Sequence, residues 1–247
     1  MKVGIFGRGR LGTTIAHEFG QAPNWELLWH VDRGEDPGAK VDVAIDASVS
    51  NAVPSHLDWA VATSTDLVIG TTGWTLPNLA AQINGHIGVL VAPNFSLSVA
   101  LMARLSTVLG RFAALDETLD PYLLEHHHRA KMDAPSGTAK RLAAAVIEGC
   151  PRKTKWTLGS PGANELNIAV LRAGSEFGMH TVGLDGPAET LSVVHQARSR
   201  ALFAQGALRA AAWLRGRKGL HTFDEVAAEV LAPLFDSLFS TPSTPEL

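Results

Sequence analysis

Residues Lys2 to Gly12 constrain this chain more than any other stretch. Lys2-Val-Gly-Ile-Phe6 has the near-continuous apolar character of a buried strand. It runs directly into Gly7-Arg8-Gly9-Arg10-Leu11-Gly12, and a helical pattern follows to about Phe19. This is G-x-G-x-x-G between a strand and a helix, the context a dinucleotide site requires. The first glycine allows the tight turn, the second lets backbone approach a pyrophosphate, and the third lets helix and strand pack closely. The next strand, Trp25 to Val31, ends in Asp32, 20 positions after Gly12, where an acidic residue meets an adenine ribose. An ordinary glycine-rich strand-to-helix turn is the competing reading. Arg33 follows at once. A carboxylate suits a free 2′-hydroxyl and an arginine a 2′-phosphate, so the pair suggests tolerance of both NAD and NADP.

The rhythm continues with strands at Val41–Ala47, Leu67–Gly70 and Ile87–Ala92, and a helix at Asn51–Ala62 with Pro54 in its first turn. Alternating strands and helices predict a parallel, doubly wound α/β sheet of Rossmann type. Gly70, Thr71 and Thr72 then lie at a carboxyl strand end, where open α/β sheets bind ligands. After Ser96 the pattern changes. A helix is expected over Val99–Leu115, a strand over Leu119–His128, a helix from Ser136 to Gly149, and a loop over Cys150–Asn164. Strands follow at Leu166–Arg172, Glu176–Leu184 and Glu189–Ala197, close enough in sequence to predict antiparallel pairs. This reads as an inserted α+β domain over 98–205. Helices at Ala201–Leu214 and Thr222–Leu231 return the chain to the first domain, 1–97 plus 206–247.

Inside the inserted domain, Glu125-His-His-His-Arg-Ala-Lys131 places three histidines, an arginine and a lysine within seven residues. The turn Asp133-Ala-Pro135 follows, and Ser136-Gly-Thr138 opens a helical apolar run, with Ser136 as N-cap. Cationic side chains before a helix start suit a small anionic molecule. A solvated histidine run and a zinc site are the competing readings. On a regular strand His126 and His128 share one face and His127 points away, so the three cannot reach one metal, and no metal is expected.

Composition narrows the class. A net charge of −3 gives no basic footprint for nucleic acid. The lone Cys150 excludes a disulfide framework and suits a reducing compartment. No apolar run approaches a membrane span, and the start has no signal-peptide pattern, so a cytoplasmic protein is expected. The tail Ser240–Leu247 is of low complexity and expected to fray.

The stretch Glu-His-His-His-Arg-Ala-Lys-Met-Asp-Ala-Pro-Ser-Gly-Thr-Ala, residues 125–139, resembles the signature of the 4-hydroxy-tetrahydrodipicolinate (dihydrodipicolinate) reductase family. The likeness extends over the glycine loop, Val68-Ile-Gly-Thr-Thr-Gly73, Ala92-Pro-Asn-Phe-Ser96, Arg172-Ala-Gly174, Gly178-Met-His180-Thr181 and Ser199–Ala207. It implies reduction of a cyclic imine dicarboxylate by NADH or NADPH, in the diaminopimelate route to lysine. It makes His127 the proton donor and Lys131 a second donor that also neutralises a carboxylate. It places His128, Gly137 and Thr138 on the substrate. The cofactor contacts it implies are Gly7, Arg8, Gly9, Arg10, Leu11, Gly12, Asp32, Arg33, Gly70, Thr71, Thr72, Ala92, Pro93, Asn94 and Phe95. It also implies a homotetramer formed through the second-domain sheet.

The chain departs from the family pattern in four places. Its glycine loop is one residue short. Asp46-Ala47-Ser48 replaces Asp-Phe-Thr, removing an aromatic expected beside the cofactor. Gly174-Ser175 replaces Gly-Asp, and Gly178-Met179-His180 replaces Gly-Glu-His. Two rival functions share the first domain, a related amino-acid or diaminopimelate dehydrogenase and a nucleotide sensor without turnover. An intact His127, His128 and Lys131 speak against the sensor.

Overall fold

The structure, a computed structural model, describes residues 1–236; the Ser240–Leu247 tail lies outside the described residues. The chain forms two compact units, one of Met1–Ser96 with the segment from Arg200 onward, the other of Leu97–Ser199.

The first unit begins β1 (Lys2–Phe6), α1 (Arg10–Gln21), β2 (Glu26–Val31), β3 (Val43–Asp46), α2 (Val53–Thr63), β4 (Asp66–Ile69), α3 (Leu79–Ile83) and β5 (Gly88–Val91). Its sheet places β1 between β2 and β3, with β4 and β5 continuing beyond β3, all parallel. The chain therefore leaves β1 in one direction to β2 and in the other from β3 onward. The crevice beyond the carboxyl ends of β1 and β3 is the topological switch point, where such sheets hold ligands. The strands carry apolar residues on both faces because helices cover both. Val3, Ile5, Val43 and Ile45 pack with Ile15 and Phe19 of α1. Phe6, Ala44, Leu67 and Ile69 pack with Val53, Leu57 and Ala60 of α2. Each fully buried side chain of the size of Ile5 contributes about 1.5–3 kcal/mol.

The chain returns to this unit through α6, counted after the second unit's elements, which spans Ala201–Leu214. Its Ala204, Ala207, Ala210 and Ala211 lie in the same core as β1. A sixth strand, Gly219–Thr222 (β11), then pairs parallel with β5; the sequence analysis assigns no element before Thr222 there. Four residues with half-exposed side chains are too short to show alternation. The last helix among the described residues, α7 (Phe223–Asp236), starts beside the carboxylate half of a capping box: Glu225 Oε1 accepts from the Thr222 amide at 3.0 Å and from its hydroxyl at 3.3 Å.

The second unit comprises α4 (Leu97–Leu115), β6 (Asp120–His127), α5 (Gly137–Gly149), β7 (Lys155–Thr157), β8 (Glu165–Arg172), β9 (Met179–Asp185) and β10 (Thr190–Gln196). The sheet order is β10-β9-β6-β8-β7. The expected antiparallel pair is found for β9 and β10. It is not found for β8 and β9. β6 lies between them, antiparallel to β9 and parallel to β8. Proximity in sequence is overridden: β6 is the strand inserted between the two. The expected loop over 150–164 contains β7. Helices α4 and α5 cover one face through Met102, Leu109, Leu142 and Val146, packed on Leu123, Ile168 and Val182. The opposite face carries Leu171 and Val194, which are exposed.

One sequence reading is corrected here. Helix α4 is, by length and composition, long and apolar enough to cross a bilayer. Its apolar residues serve the core of the second unit instead, since Met102, Leu109 and Ala113 pack with α5.

Candidate active site

In the first unit a cavity of about 570 Å³ opens at the switch point. Phe6 and Gly7 close one side of it, Asp32, Arg33 and Glu35 another, and Ala47, Ser48 and His56 a third. Two glycines of the loop are demanded by sterics. Gly7 has φ +99°, and a Cβ there would lie 2.5 Å from the Ala47 carbonyl oxygen. A Cβ on Gly12 would lie 1.9 Å from the Gly7 oxygen. Gly9 stands at the start of α1 with open space around it and no side-chain cap, so a phosphate can approach the helix N-terminus. These features fit a dinucleotide. His30 Nε2 lies 2.9 Å from the Gly7 oxygen and braces the turn, a contact with no signal in the motif.

Asp32 is exposed, and its Oδ1 accepts from the Arg33 amide at 2.9 Å. The missing aromatic at Ala47 has a structural counterpart. The His56 ring stacks on Phe6 at 3.9 Å between centroids, and Trp59 meets Phe6 edge-on. Asp46 is fully buried beneath this wall. Burial opposes its ionisation, but hydrogen bonds from His56, Thr71 and Ser48 outweigh it and hold its pKa below the usual carboxylate range. Of the cofactor residues expected from sequence, Gly7, Gly9, Asp32 and Arg33 line the cavity. Arg8, Arg10, Leu11 and Gly12 lie on the loop and first turn of α1. Gly70, Thr71 and Thr72 follow β4, and Ala92, Pro93, Asn94 and Phe95 follow β5; neither group lines the cavity. The Thr71 hydroxyl donates to Asp46 Oδ1 at 2.6 Å. The Phe95 ring is a core element, packed edge-on to Phe223.

The second unit builds a different kind of site. Alternation along β6 puts Glu125 and His127 on the helix-covered face and His126 on the other. Strand register does the rest: β9 sets His180 opposite Glu125, and β8 sets Arg172 opposite His127. Glu125, with no exposed surface, accepts from Arg172 Nη2 at 2.6 Å and from the Ser136 amide at 3.1 and 3.2 Å. His127 Nδ1 and His180 Nε2 each lie 3.6 Å from its Oε2. The Ser136 hydroxyl lies 3.2 Å from His180 Nε2 and caps α5 by accepting from the Ala139 amide. Glu125, Arg172 and His180 stand in the stretches quoted for the resemblance, but sequence assigns them no role. Only the pairing of three strands brings them together.

The charges follow from these contacts. Burial alone would raise the Glu125 pKa, but donors from His180, Ser136 and Arg172 hold it well below the usual range. Burial, and then the nearby His180, push His127 down to about 4, with Glu125 pulling the other way. His127 is thus neutral at neutral pH, and an anionic ligand beside it would raise its basicity. Lys131 Nζ pairs with Asp133 Oδ1 at 2.7 Å, a half-exposed contact that a carboxylate ligand can replace. His128 is half-buried, with its amide donating to the Glu176 carbonyl. Gly137 and Thr138 form the first turn of α5.

Glu125, His127 and His180 offer ligand atoms within 4.8 Å of one another. The three adjacent histidines do not converge; this other trio does. The Glu125 carboxylate is already engaged by a guanidinium and an amide, so a dication would compete with a charge in place, and we assign no metal.

Residues 1–95 match the model of the N-terminal part of dihydrodipicolinate reductase, and residues 97–227 match that of its C-terminal part. The chain belongs to the dihydrodipicolinate reductase family. It is 34% identical over 243 residues to the 4-hydroxy-tetrahydrodipicolinate reductase of Methanoregula boonei, covering 88% of this chain and 94% of that protein. It is 37% identical over 198 residues to the enzyme of that name from Myxococcus xanthus, covering 76% and 72%. Among solved structures, a dipicolinate-bound dihydrodipicolinate reductase from Paenisporosarcina sp. TG-14 has the same fold. Its TM-score is 0.74 at 22% identity, over 90% of this chain and 97% of that one. GenD2 from gentamicin A biosynthesis, solved with NAD, is more distant, with a TM-score of 0.52 at 16% identity over 93% and 91%. Together the two family matches cover residues of both units of this chain.

Proposed function

We propose that this protein reduces 4-hydroxy-tetrahydrodipicolinate to tetrahydrodipicolinate, the step of lysine and diaminopimelate biosynthesis that its relatives are named for. Membership of the family over both halves supports this, and the rival dehydrogenase and sensor readings are not favoured. The observation that carries the chemistry is the buried Glu125–His127–His180–Arg172 cluster beside Lys131 and the start of α5. The first unit would hold the cofactor through Gly7 to Gly12, Asp32 and Arg33, with Gly70–Thr72 and Ala92–Phe95 along the same sheet edge. NADH and NADPH would both serve, Asp32 taking a 2′-hydroxyl and Arg33 a 2′-phosphate.

Once the 4-hydroxyl has left as water to give a conjugated ring, a bound reduced nicotinamide would supply a hydride to a ring carbon of that cyclic imine. His127 delivers a proton to the carbon that receives the displaced electron pair. Lys131, His128 and the Gly137 and Thr138 region hold the two carboxylates, whose charge raises His127 toward the acid form it needs. Glu125 Oε2 stands 3.6 Å from His127 Nδ1, and the His180 ring meets the His127 ring edge-on. The second unit would also form a homotetramer through the sheet face bearing Leu171 and Val194. A cytoplasmic site of action fits the single cysteine, which is buried and free.

The test is oxidation of NADH or NADPH with and without the cyclic imine substrate. Substrate-dependent loss of reduced-cofactor absorbance is expected. Oxidation with diaminopimelate chemistry instead, or cofactor binding without turnover, would overturn the reading.

A further inference from the structure

The loop after β2 contains a carboxylate that the glycine-loop pattern does not call for. Glu35 lines the nucleotide cavity together with Asp32 and Arg33. Its Oε1 accepts from Arg8 Nη1 at 3.0 Å, and its Oε2 accepts from the Asp32 amide at 2.9 Å. Arg8 is anchored a second time, donating from Nε and Nη2 to the His30 carbonyl at 3.0 and 2.8 Å. One ion pair thus ties the glycine loop to the loop after β2. It also keeps the guanidinium of Arg8 engaged with protein groups, the Glu35 carboxylate and the His30 carbonyl.

This arrangement sorts nucleotides by charge. A ribose 2′-hydroxyl can donate to a carboxylate. A 2′-phosphate brings roughly one and a half to two negative charges to a wall that already carries Asp32 and Glu35. Among the described residues lining the cavity, Arg33 is then the one lysine or arginine that can answer it, because Arg8 is held by Glu35. We propose that Glu35 is a specificity-determining residue: by holding Arg8 away from the nucleotide's 2′ position it tilts the enzyme toward NADH over NADPH. The proposal rests on the reading of the cavity as the adenosine site of a pyridine nucleotide.

The side chains of Arg8 and Glu35 are 52% and 44% exposed. Such a pair adds little to stability, so variants that break it should fold. The experiment is titration of NADH and NADPH, each without imine substrate and at fixed ionic strength, against wild type, Glu35→Ala, Glu35→Gln and the double variant Arg8→Ala/Glu35→Ala. Glu35→Ala should raise the ratio of NADPH to NADH affinity by at least about tenfold, the return from a guanidinium released to a phosphate. Glu35→Gln, which can still accept from Arg8, should give a smaller rise, and the double variant should lose the gain. An unchanged ratio in Glu35→Ala, or a gain that persists without Arg8, would overturn the proposal. Wild type that binds neither nucleotide would instead sink the underlying reading of the cavity, whatever Glu35 does.

Discussion

The two sites solve opposite problems. The nucleotide cavity is open, built from backbone turns and an aromatic wall, and its charged residues Asp32, Arg33 and Glu35 stand exposed at the rim. The cluster around Glu125 is buried, and its charges are locked to one another across three strands. Exposed charges at a rim can exchange partners cheaply, so the first site can be retuned by single substitutions. Buried charges cannot, because removing one strands the others in a poorly solvating interior. On the proposed reading, the chemistry sits where substitution is expensive and the cofactor choice where substitution is cheap.

The sharpest way to break this contrast is Glu125→Ala. It leaves Arg172 without its counter-charge, and loss of one partner of a buried pair costs about 3–5 kcal/mol. Denaturant melts should show a loss of that order; a loss below about 1 kcal/mol would mean the cluster is no more interlocked than a surface pair. A smaller, selective effect is expected at the rim. Arg33→Ala should weaken NADPH binding by about 1.5–3 kcal/mol and leave NADH nearly untouched. Equal losses for both cofactors, read by fluorescence titration, would show that Arg33 does not sense the 2′ position.

A third effect is a pH slope. His127 titrates near 4 in the fold against 6.5 when unperturbed. Between those values the unfolded chain binds the extra proton, so stability is fully present above about pH 6.5 and falls as pH drops toward 4. His127→Gln should flatten that part of the stability profile. An unchanged slope would place the titration elsewhere, on His195 for example, whose pKa burial and His180 also lower.

The same contrast explains what the sequence could disclose. The nucleotide half is made from contiguous residues: a strand, a glycine turn, a helix, and Asp32 at the next strand end. Local spacing encodes such a site, and Ser136 as the cap of α5 was legible for the same reason. The buried cluster is not contiguous. Glu125, Arg172 and His180 meet only because β6 lies between β8 and β9, and connection length alone suggested that β8 and β9 would pair. β11 escaped for a related reason, since a four-residue edge strand takes its register from β5 and not from its own pattern. Glu35 was passed over because nothing in its spacing distinguishes it from a solvated loop charge; its contact with Arg8 across two loops does.

The central claim is that nucleotide binding and proton delivery reside in separate, separately breakable places. The most direct measurement is His127→Gln, followed through NADH binding and steady-state turnover of the cyclic imine in parallel. Glutamine keeps a polar group of similar reach but cannot serve as an acid at neutral pH. NADH affinity should be unchanged, kcat should fall on the order of 10²–10⁴-fold, and KM should move little, because the contact is made in the transition state. Turnover near the wild-type rate would mean the proton comes from elsewhere, and loss of NADH binding along with turnover would mean the two places are one.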